Sequence, residues 1–254
     1  VCTYKGEDEH ADATEGSHWF TQRTIKKTFP QVEMTCGVVY SSCEVGVSDK
    51  VLQTEVAFAD STFFRMFSIP VLQGNAAHAL DEMNSAVVSE EFARKAWGND
   101  NPIGKRIHMD GMDDLMVHVT AVYKGMQGTS FGQADIIMRF EYVRYKNGYL
   151  TASHMGNAVG ASVFILAQPG YDLCTCHADF DKMYKDMGFW YYSMDGSTTR
   201  TRLLRLSDRY FSDVQTSGSD SEQSLRGNRR LVTILFAVGL IILLFSVFNY
   251  INLS

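Results

Sequence analysis

The sequence lacks several features that would identify a common class of protein. It has no excess of basic residues, because 23 Lys and Arg stand against 29 Asp and Glu and the net charge is −6. A basic face that binds phosphate backbones is therefore not expected, and nucleic acid is excluded as a partner. The seven histidines are scattered without H-x-x-H or H-E-x-x-H spacing. We expect neither a zinc-protease centre nor a nucleophile elbow.

Cysteine is also scarce, and the five residues cannot all pair with one another. Cys36 and Cys43 either close a hairpin-sized loop or are small buried hydrophobes. The segment "CTCH" at 174–177 offers two thiols and an imidazole, but zinc would need a fourth ligand. On a helix, Cys174 and Cys176 would point about 200° apart, so packing is the preferred interpretation. We predict no catalytic, cofactor-binding or metal-ligating residue. A catalytic triad that the fold assembles from residues distant in the sequence stays an open alternative, because the histidines are scattered along the chain.

The end of the chain has no charged residue from Leu231 to Ser254, and Leu, Ile, Val and Phe fill 15 of the positions 231–251. Twenty-one helical residues rise about 31 Å, which is enough to cross the hydrocarbon core of a bilayer. A core helix of this length would show a polar face, which this run lacks. We therefore predict a transmembrane helix over residues 231–254.

The side of the membrane on which the preceding residues lie is not decided by charge. Arg226, Arg229 and Arg230 precede the helix, and the positive-inside rule by itself would place them in the cytoplasm. That rule weakens for long domains, which translocate largely regardless of charge. Because the sequence begins with Val1 and ends directly after the apolar run, we expect the chain to be part of a longer protein.

The first part of the chain predicts a helix followed by two strands. The helix covers Ser17–Phe29, with its first residue as the N-cap and Pro30 as the stop. A strand is predicted at 32–40, and the alternation of apolar residues over Leu52–Ala59 predicts another. A short strand near the N-terminus completes this unit.

The middle of the chain predicts a small α+β unit. A short helix at 60–67 is expected to be capped by Asp60 or Ser61. A second helix, Ser89–Trp97, has a serine cap, two glutamates in its first turn and Gly98 after its last. Short strands are predicted at 86–88, near 104–109, at 117–123 and at 136–140.

The stretch "WGNDNPIGKRI" at 97–107 contains a Gly-Lys pair and raises the possibility of a phosphate-binding loop. Such a loop needs G-x-x-x-x-G-K-[ST] between a strand and a helix. Here Gly98 and Gly104 are six positions apart, Arg106 replaces Ser or Thr, and the glycines follow a helix. We interpret the segment as a bend between a helix and a strand.

The last block predicts strand, helix and strand in that order. The strands are expected at 162–168 and 202–206, and the helix carries a stripe of apolar residues and ends at Gly188. The stripe consists of Cys176, Phe180, Met183, Tyr184 and Met187. With the opening unit this gives two βαβ-type halves around an inserted block, an α+β fold, and residues 215–230 are a linker to the membrane.

Three segments resemble the extracytoplasmic core domain of MacB/FtsX-type ABC transporter permeases. "AVVSEEFARKAWGNDNPIGKRIHM" at 86–109 is similar to the family's strand, helix and "NPIGK" segment. Two other segments of the family are similar to "DSTFFRMFSIPVLQG" at 60–74 and to "LRLSDRYFSDV" at 204–214, which is followed by the apolar run from 227. The closing "NYINLS" is typical of the Bacteroidota-like branch. The cysteine count and residues 144–160 depart from the pattern.

The resemblance implies a porter-like subdomain with an inserted, Sabre-like subdomain. Its expected divisions are 1–59 and 159–214 for the two porter-like halves, 60–158 for the insert, 215–230 for the linker and 231–254 for the second transmembrane helix. The remainder of the protein would supply a cytoplasmic segment, the first helix and two more helices. Residues 1–230 would lie in the periplasm, beside the inner membrane.

The resemblance also implies partners and a function without catalysis. An ABC ATPase subunit or a fused ATPase domain would hydrolyse ATP, and the permease would act as a homodimer or paired permease. A periplasmic adaptor and an outer-membrane channel are further candidate partners. The implied function is mechanotransmission, which couples ATP-driven motion to export or extracytoplasmic work, with no cofactor and no catalysis by this chain.

Two other functions remain open at this point. The alternative is the extracytoplasmic ligand-sensing domain of a membrane receptor, since such domains are also α+β and end at a membrane span. The sequence that follows the apolar run would distinguish them, because two further spans favour a permease and a signalling module favours a sensor. A membrane-anchored enzyme is the third class and would require a pocket with convergent titratable groups.

Overall fold

The fold was obtained as a computed structural model of the 254-residue chain. The structure describes residues 2–5, 14–15, 17–19, 21–109, 115–126, 129, 131–142, 160–187, 199–212, 215–216 and 227–253. The predicted helix end at Gly188, residues 144–159 and most of the predicted linker lie outside the described residues.

Strands and helices alternate irregularly along the chain, as expected for an α+β fold. The strands are β1 (Cys2–Lys5), β2 (Thr14–Glu15), β3 (Ser17–His18), β4 (Val32–Val47), β5 (Lys50–Ala59), β6 (Val71–Gln73), β7 (Ser85–Ser89), β8 (Arg106–Met109), β9 (Leu115–Tyr123), β10 (Ile136–Arg139), β11 (Gly160–Ala167), β12 (Thr199–Arg202) and β13 (Gln215–Thr216). The helices are α1 (Thr21–Thr28), α2 (Phe63–Phe67), α3 (Glu90–Trp97), α4 (His177–Asp186), α5 (Leu206–Arg209) and α6 (Arg229–Leu253), and Leu173–Thr175 form a 3₁₀ turn.

A nine-stranded sheet forms the centre of the fold, in the order β3-β11-β4-β5-β10-β7-β9-β6 with β8 paired to both β4 and β9. The pairings β4-β5, β5-β10, β10-β7, β7-β9, β9-β8 and β8-β4 close a ring of six strands. Closure removes the exposed edges of those strands. The long strands β4 and β5 run from the predicted first half into this ring, so the two predicted subdomains share one sheet.

The sheet is covered on both faces where β4 begins. One face carries the larger core, which fills the ring and continues under α1, α3 and α4. The opposite face carries a second core, built on Cys36, Val38 and Tyr40 of β4 and on the two buried phenylalanines of α2. Because successive residues of a strand point to opposite faces, β4 contributes to both cores at once.

The two predicted halves are joined to each other by strand pairing. β1 pairs antiparallel with β12, and β4 pairs antiparallel with β11, so each half supplies one strand to each pair. Side chains of the two halves also touch, since the Phe29 and Phe180 rings stack at 4.2 Å and the Ser17 hydroxyl lies 2.5 Å from the Tyr184 hydroxyl. The halves therefore form one packed unit.

Several local predictions are confirmed. Helix α3 has Ser89 at its N-cap, where the hydroxyl accepts a hydrogen bond from the Phe92 N–H at 3.0 Å. Gly98 follows the last helical residue with φ +66° and ψ −118°, so its φ is positive while its ψ differs from the expected left-handed value. In the described part of 60–158, the block contains α2, α3, five strands and helical residues 140–142.

Other local predictions are wrong. Helix α1 begins at Thr21 because Ser17 extends along β11 as strand β3. Neither Asp60 nor Ser61 caps α2. Thr62 holds the N-cap position without a capping hydrogen bond, since its hydroxyl donates to the Thr35 carbonyl, and Asp60 accepts from the Gly37 N–H instead. The predicted strand at 202–206 ends at Arg202 and gives way to α5, whose first turn is closed by a bond from the Asp208 N–H to the Arg205 carbonyl.

The predicted alternation over Val117 to Tyr123 is interrupted by a β-bulge. Ala86 pairs with Val119 and Val87 with Ala121, so Thr120 is the extra residue. Its hydroxyl donates to the Ala79 carbonyl at 2.6 Å. Beyond the bulge, odd-numbered residues of β9 point to the opposite face of the sheet. Val117 and Val119 belong to the core inside the ring, whereas Ala121 and Tyr123 belong to the core on the opposite face.

The C-terminal helix α6 has the length and composition of a membrane span. Within Arg229–Asn252, the most apolar stretch of 18 residues has a mean hydropathy of 3.0, and none of that stretch is buried inside the structure. The Asn228 side chain caps the helix, because its Oδ1 accepts a hydrogen bond from the Leu231 N–H at 3.0 Å. The structure thus contains one candidate transmembrane helix among the described residues, at the position predicted.

Candidate functional site

The bend at 97–107 does not form a phosphate site. The Gly98 N–H donates to the Arg94 carbonyl at 2.9 Å and the Gly104 N–H to the Val119 carbonyl at 2.7 Å, so both donors are used within the protein. The Lys105 ammonium donates to Asp100 at 2.8 Å. Lys105 also lowers the pKa of the Asp100 carboxyl, through a hydrogen bond and its charge. The prediction of a structural bend is confirmed.

The pair Cys36 and Cys43 cannot form a loop-closing disulfide. Both residues belong to β4, seven positions apart, which separates them by about 23 Å along one strand. A disulfide requires Cα atoms within about 7 Å. Both thiols are buried and free, and burial raises the pKa of Cys36 far above its usual range. They are small buried hydrophobes, one in each core.

No cluster of metal ligands appears in the parts of the chain that the structure describes. Within those ranges no group of three or more His, Cys, Asp or Glu side chains could hold a metal ion. The expectation that no nucleophile-elbow motif exists overlooked residues 128–132, which read G-T-S-F-G. An elbow requires a strand that turns directly into a helix. Here β9 precedes the motif and β10 follows it, and Ser130 lies outside the described residues.

An aromatic cluster joins α2 and the segment before β10 to β11 and α5. We call it the aromatic junction, and it consists of Phe67, Phe131, Phe164 and Arg209. The Phe67 ring lies 4.7 Å from the Phe131 ring and 5.1 Å from the Phe164 ring. Such spacings are typical of stabilising edge-to-face aromatic pairs.

Arg209 completes the junction from the short helix α5. Its guanidinium carbon lies 5.9 Å from the Phe131 ring centroid and 5.8 Å from the Phe164 ring centroid. Only 6% of the residue is exposed. A guanidinium so close to two ring faces makes cation–π contacts, which are stronger when water is excluded. Arg209 therefore ties α5 to Phe131, between β9 and β10, and to Phe164 of β11.

A cleft of about 330 Å³ opens beside the aromatic junction. Its walls are mainly apolar and include Phe67, Phe164, Leu166, Tyr171 and Leu206. An ion pair lies at its edge, where the Arg205 guanidinium donates to Asp172 at 2.6 Å. That hydrogen bond, together with one from the Cys174 N–H, lowers the pKa of Asp172. The cleft has the size and apolar character of a small-ligand site.

Gly227 connects the aromatic junction to the membrane helix. Its N–H donates to the Tyr210 carbonyl at 2.8 Å, and Tyr210 directly follows α5. A side chain at position 227 would collide with the Tyr210 and Phe211 rings, with ring carbons within 2.9 Å of the Cβ position. Only glycine permits this approach, and α6 begins two residues later.

The buried carboxyl of Asp60 connects the segment just before α2 to β4. The Gly37 N–H donates to Asp60 at 2.9 Å. Burial, together with the neighbouring Glu141 carboxyl, raises the pKa of Asp60 to about 7. Gly37 itself has no room for a side chain, because the Trp19 ring lies 2.8 Å from its Cβ position.

Reasoning from the sequence missed these residues. Arg209 and Phe131 are separated by 78 positions, and no local pattern marks either of them as part of a cluster. A weak signal existed at Gly227, a glycine between a polar segment and an apolar run. The sequence indicates Asp60 only as a helix cap, because its partner Gly37 lies in another element.

Comparisons with known proteins are consistent with the fold described above. A family model described as the MacB-like periplasmic core domain matches residues 6–180. A crystal structure of a domain from Porphyromonas gingivalis, described as a permease protein, is 20% identical with a TM-score of 0.58, covering 80% of this chain and 90% of that one.

Two further structures are similar in fold at lower identity. The periplasmic region of MacB from Actinobacillus actinomycetemcomitans is 11% identical, with a TM-score of 0.53 and coverage of 79% of this chain and 87% of that one. The extracellular domain of the ABC-type transporter YknZ from Gram-positive bacteria is 12% identical, with a TM-score of 0.54 and coverage of 79% and 99%. No curated protein matches the sequence.

Proposed function

The chain belongs to the MacB-like periplasmic core domain family, and from that premise we propose that it transmits motion between a membrane helix and the periplasm. It is the periplasmic domain of an ABC transporter permease, with a candidate transmembrane helix. In our proposal it performs no bond chemistry. Nucleotide hydrolysis by an ATPase partner moves α6, and the domain converts that movement into export or other extracytoplasmic work.

The observation that carries the proposal is an unbroken series of contacts from α6 to the inserted block. Gly227 contacts Tyr210 and Phe211, which directly follow α5. Arg209, the last residue of α5, lies over the Phe131 and Phe164 rings. A displacement of α6 would therefore act on α5 and on the aromatic junction before it reached the rest of the domain.

The packing of these contacts suits the transmission of force. Close-packed interiors compress little, so a rigid contact passes displacement to its neighbours. Arg209 is buried, and the Gly227 contact leaves no space for a methyl group. The two long strands β4 and β5 would then distribute the motion across the shared sheet.

Partners, location and internal divisions follow from the same proposal. The ATPase is a separate subunit or a fused domain, and the permease works as a homodimer or a paired permease in the inner membrane, with residues 1–230 in the periplasm. A periplasmic adaptor and an outer-membrane channel are candidate partners. The proposed division assigns 1–59 and 159–214 to the porter-like halves, 60–158 to the insert and 215–230 to the linker.

Isolation of the full-length permease in detergent tests this proposal. We expect it to co-purify with an ABC ATPase or to contain one, and to elute as a dimer. The Arg209→Ala variant should still associate with the ATPase, because the substitution lies outside the membrane segment. A monomeric permease without ATPase activity or an ATPase partner would contradict the proposal.

The cleft beside the aromatic junction favours a second candidate function, a ligand-sensing receptor domain. Its volume and apolar walls would fit a small amphipathic molecule. The protein sequence downstream of residue 254 distinguishes the two functions. Two further hydrophobic spans would support the permease, and a cytoplasmic signalling module would support the sensor.

A further inference from the structure

Two aromatic residues at the end of α5 remain exposed although they are large and apolar. Tyr210 is 41% exposed and Phe211 is 40% exposed, and their rings contact each other at 4.8 Å. Leu206, in the same short helix, is 46% exposed. Adjacent exposed rings of this kind mark a surface that contacts something other than water.

The position of these rings is determined by Gly227. The ring atoms contact Gly227 directly, and α6 begins at Arg229, two residues further on. Two residues of extended chain span at most about 7 Å, and two helical residues then add about 3 Å to reach Leu231. Gly227, against which both rings pack, therefore lies within about 10 Å of the first residue of the apolar run.

That distance corresponds to the interfacial layer of a bilayer. The layer of headgroups on each side is about 5–8 Å thick, from the difference between the total and hydrocarbon thicknesses. Aromatic residues concentrate in this layer, and arginine side chains near helix ends extend towards its phosphates. Arg229 and Arg230 are exposed at this same level.

We propose that the end of α5 and the start of α6 together form a lipid-binding collar. The collar consists of Tyr210, Phe211, Arg229 and Arg230. The two rings insert between headgroups, and the two guanidinium groups bind lipid phosphates. The inference rests on the proposed function only in requiring that α6 spans the membrane. Lipid contact would set the depth of α5 and of the start of α6 together.

Tryptophan quenching by brominated lipids tests the collar. The variants Phe211→Trp, Phe236→Trp and Val51→Trp are made in the full-length permease and reconstituted in vesicles of phosphatidylethanolamine and phosphatidylglycerol with brominated phosphatidylcholine. Phe236 is an exposed residue within α6 and reports the span. Val51 is 65% exposed at the turn of β4 and β5, about 26 Å along β5 from its α2 end, and is the control outside the membrane.

We expect lipids brominated near the headgroup to quench Phe211→Trp several-fold more than Val51→Trp, after subtraction of the wild-type signal. Lipids brominated deep in the acyl chains should quench Phe236→Trp most strongly. Quenching of Phe236→Trp without quenching of Phe211→Trp would overturn the collar while leaving the membrane span intact. Quenching of neither would overturn the span and the proposed function with it. If Phe211→Trp fails to fold, Tyr210→Trp gives the same readout.

Discussion

The N–H of Gly227 donates a hydrogen bond to the carbonyl of Tyr210, and this 2.8 Å contact joins the folded domain to the candidate membrane helix α6. The bond alone would contribute only about 1 kcal/mol. Its importance lies in position, because it fixes the segment that precedes α6 against the segment that follows α5. In the proposed function, motion of the helix would reach the domain through this short contact.

A methyl group at position 227 should break this contact. Gly227→Ala places a Cβ among the Tyr210 and Phe211 rings, so the segment must withdraw and the bond to Tyr210 is lost. We expect the amide of position 227 to exchange with solvent about 5–10-fold faster, since about 1 kcal/mol of local protection disappears. Hydrogen exchange with mass spectrometry measures this effect.

Gly239→Ala is the matched control for that variant. Gly239 lies within α6, and nothing lies within 4 Å of its Cβ position. The substitution should leave exchange at 210–212 and 227 unchanged. Equal exchange in Gly227→Ala and the wild type would contradict the contact described here.

Removal of Arg209 should destabilise the aromatic junction. Arg209→Ala deletes two cation–π contacts from a buried site, each worth about 0.5–2 kcal/mol, so we expect unfolding to become easier by about 2–3 kcal/mol. The thermal midpoint of the purified permease in detergent measures the change. Arg65→Ala removes an exposed arginine from α2 and should change stability by less than about 0.5 kcal/mol.

The buried carboxyl of Asp60 should make stability depend on pH. Its pKa is raised in the folded state, so the folded protein binds the proton more tightly than the unfolded chain. This contribution to stability is fully present below pH 4 and is lost as pH rises through about 7. Unfolding midpoints measured from pH 4 to pH 8 report the loss.

Asp60→Asn should flatten that pH dependence. The amide keeps an oxygen that accepts from the Gly37 N–H and carries no charge to bury. We expect the variant to be more stable than the wild type at pH 8, by about 1–3 kcal/mol, and nearly equal at pH 4. Asp49→Asn, in the exposed turn of β4 and β5, is the control and should retain the wild-type profile. An unchanged profile in Asp60→Asn would show that another group titrates.

The cysteines should separate into two classes of reactivity. Cys36 and Cys43 are buried, whereas Cys174 and Cys176 are partly exposed, so maleimide should modify the latter pair at least about tenfold faster. Burial and the neighbouring Asp172 raise the pKa of Cys174, and Asp172→Asn should therefore accelerate its modification near neutral pH. Mass spectrometry of peptides identifies each site, with Asp49→Asn as the control. A peptide containing a Cys36–Cys43 disulfide would contradict the single strand β4.

The elements that were predictable from the sequence are those determined by neighbouring residues. Helix α3 carries its own serine cap and its own terminal glycine, and β5 shows its buried face in its alternation. The start of α1 and the identity of α5 were predicted wrongly. In both cases a distant partner decides the conformation: β11 pairs with Ser17, and the rings of Phe131 and Phe164 receive Arg209.

The functional region was less predictable than the fold for the same reason. The membrane span and the family resemblance depend on continuous segments, which a sequence displays directly. The closed ring depends on β8 meeting β4, and the contact at Gly227 depends on the chain returning to Tyr210. Such contacts join positions far apart in the chain, and neither periodicity nor capping residues encode them.

Hydrogen exchange in the intact transporter tests the central claim most directly. The full-length permease and its ATPase are reconstituted in a bilayer, and exchange is compared between the nucleotide-free state and a state trapped with ATP and vanadate. We predict that exchange at residues 199–212 changes when the ATPase is trapped, and that Gly227→Ala abolishes this change without abolishing ATP hydrolysis. Identical exchange in both states, with an active ATPase, would contradict mechanical coupling through this domain.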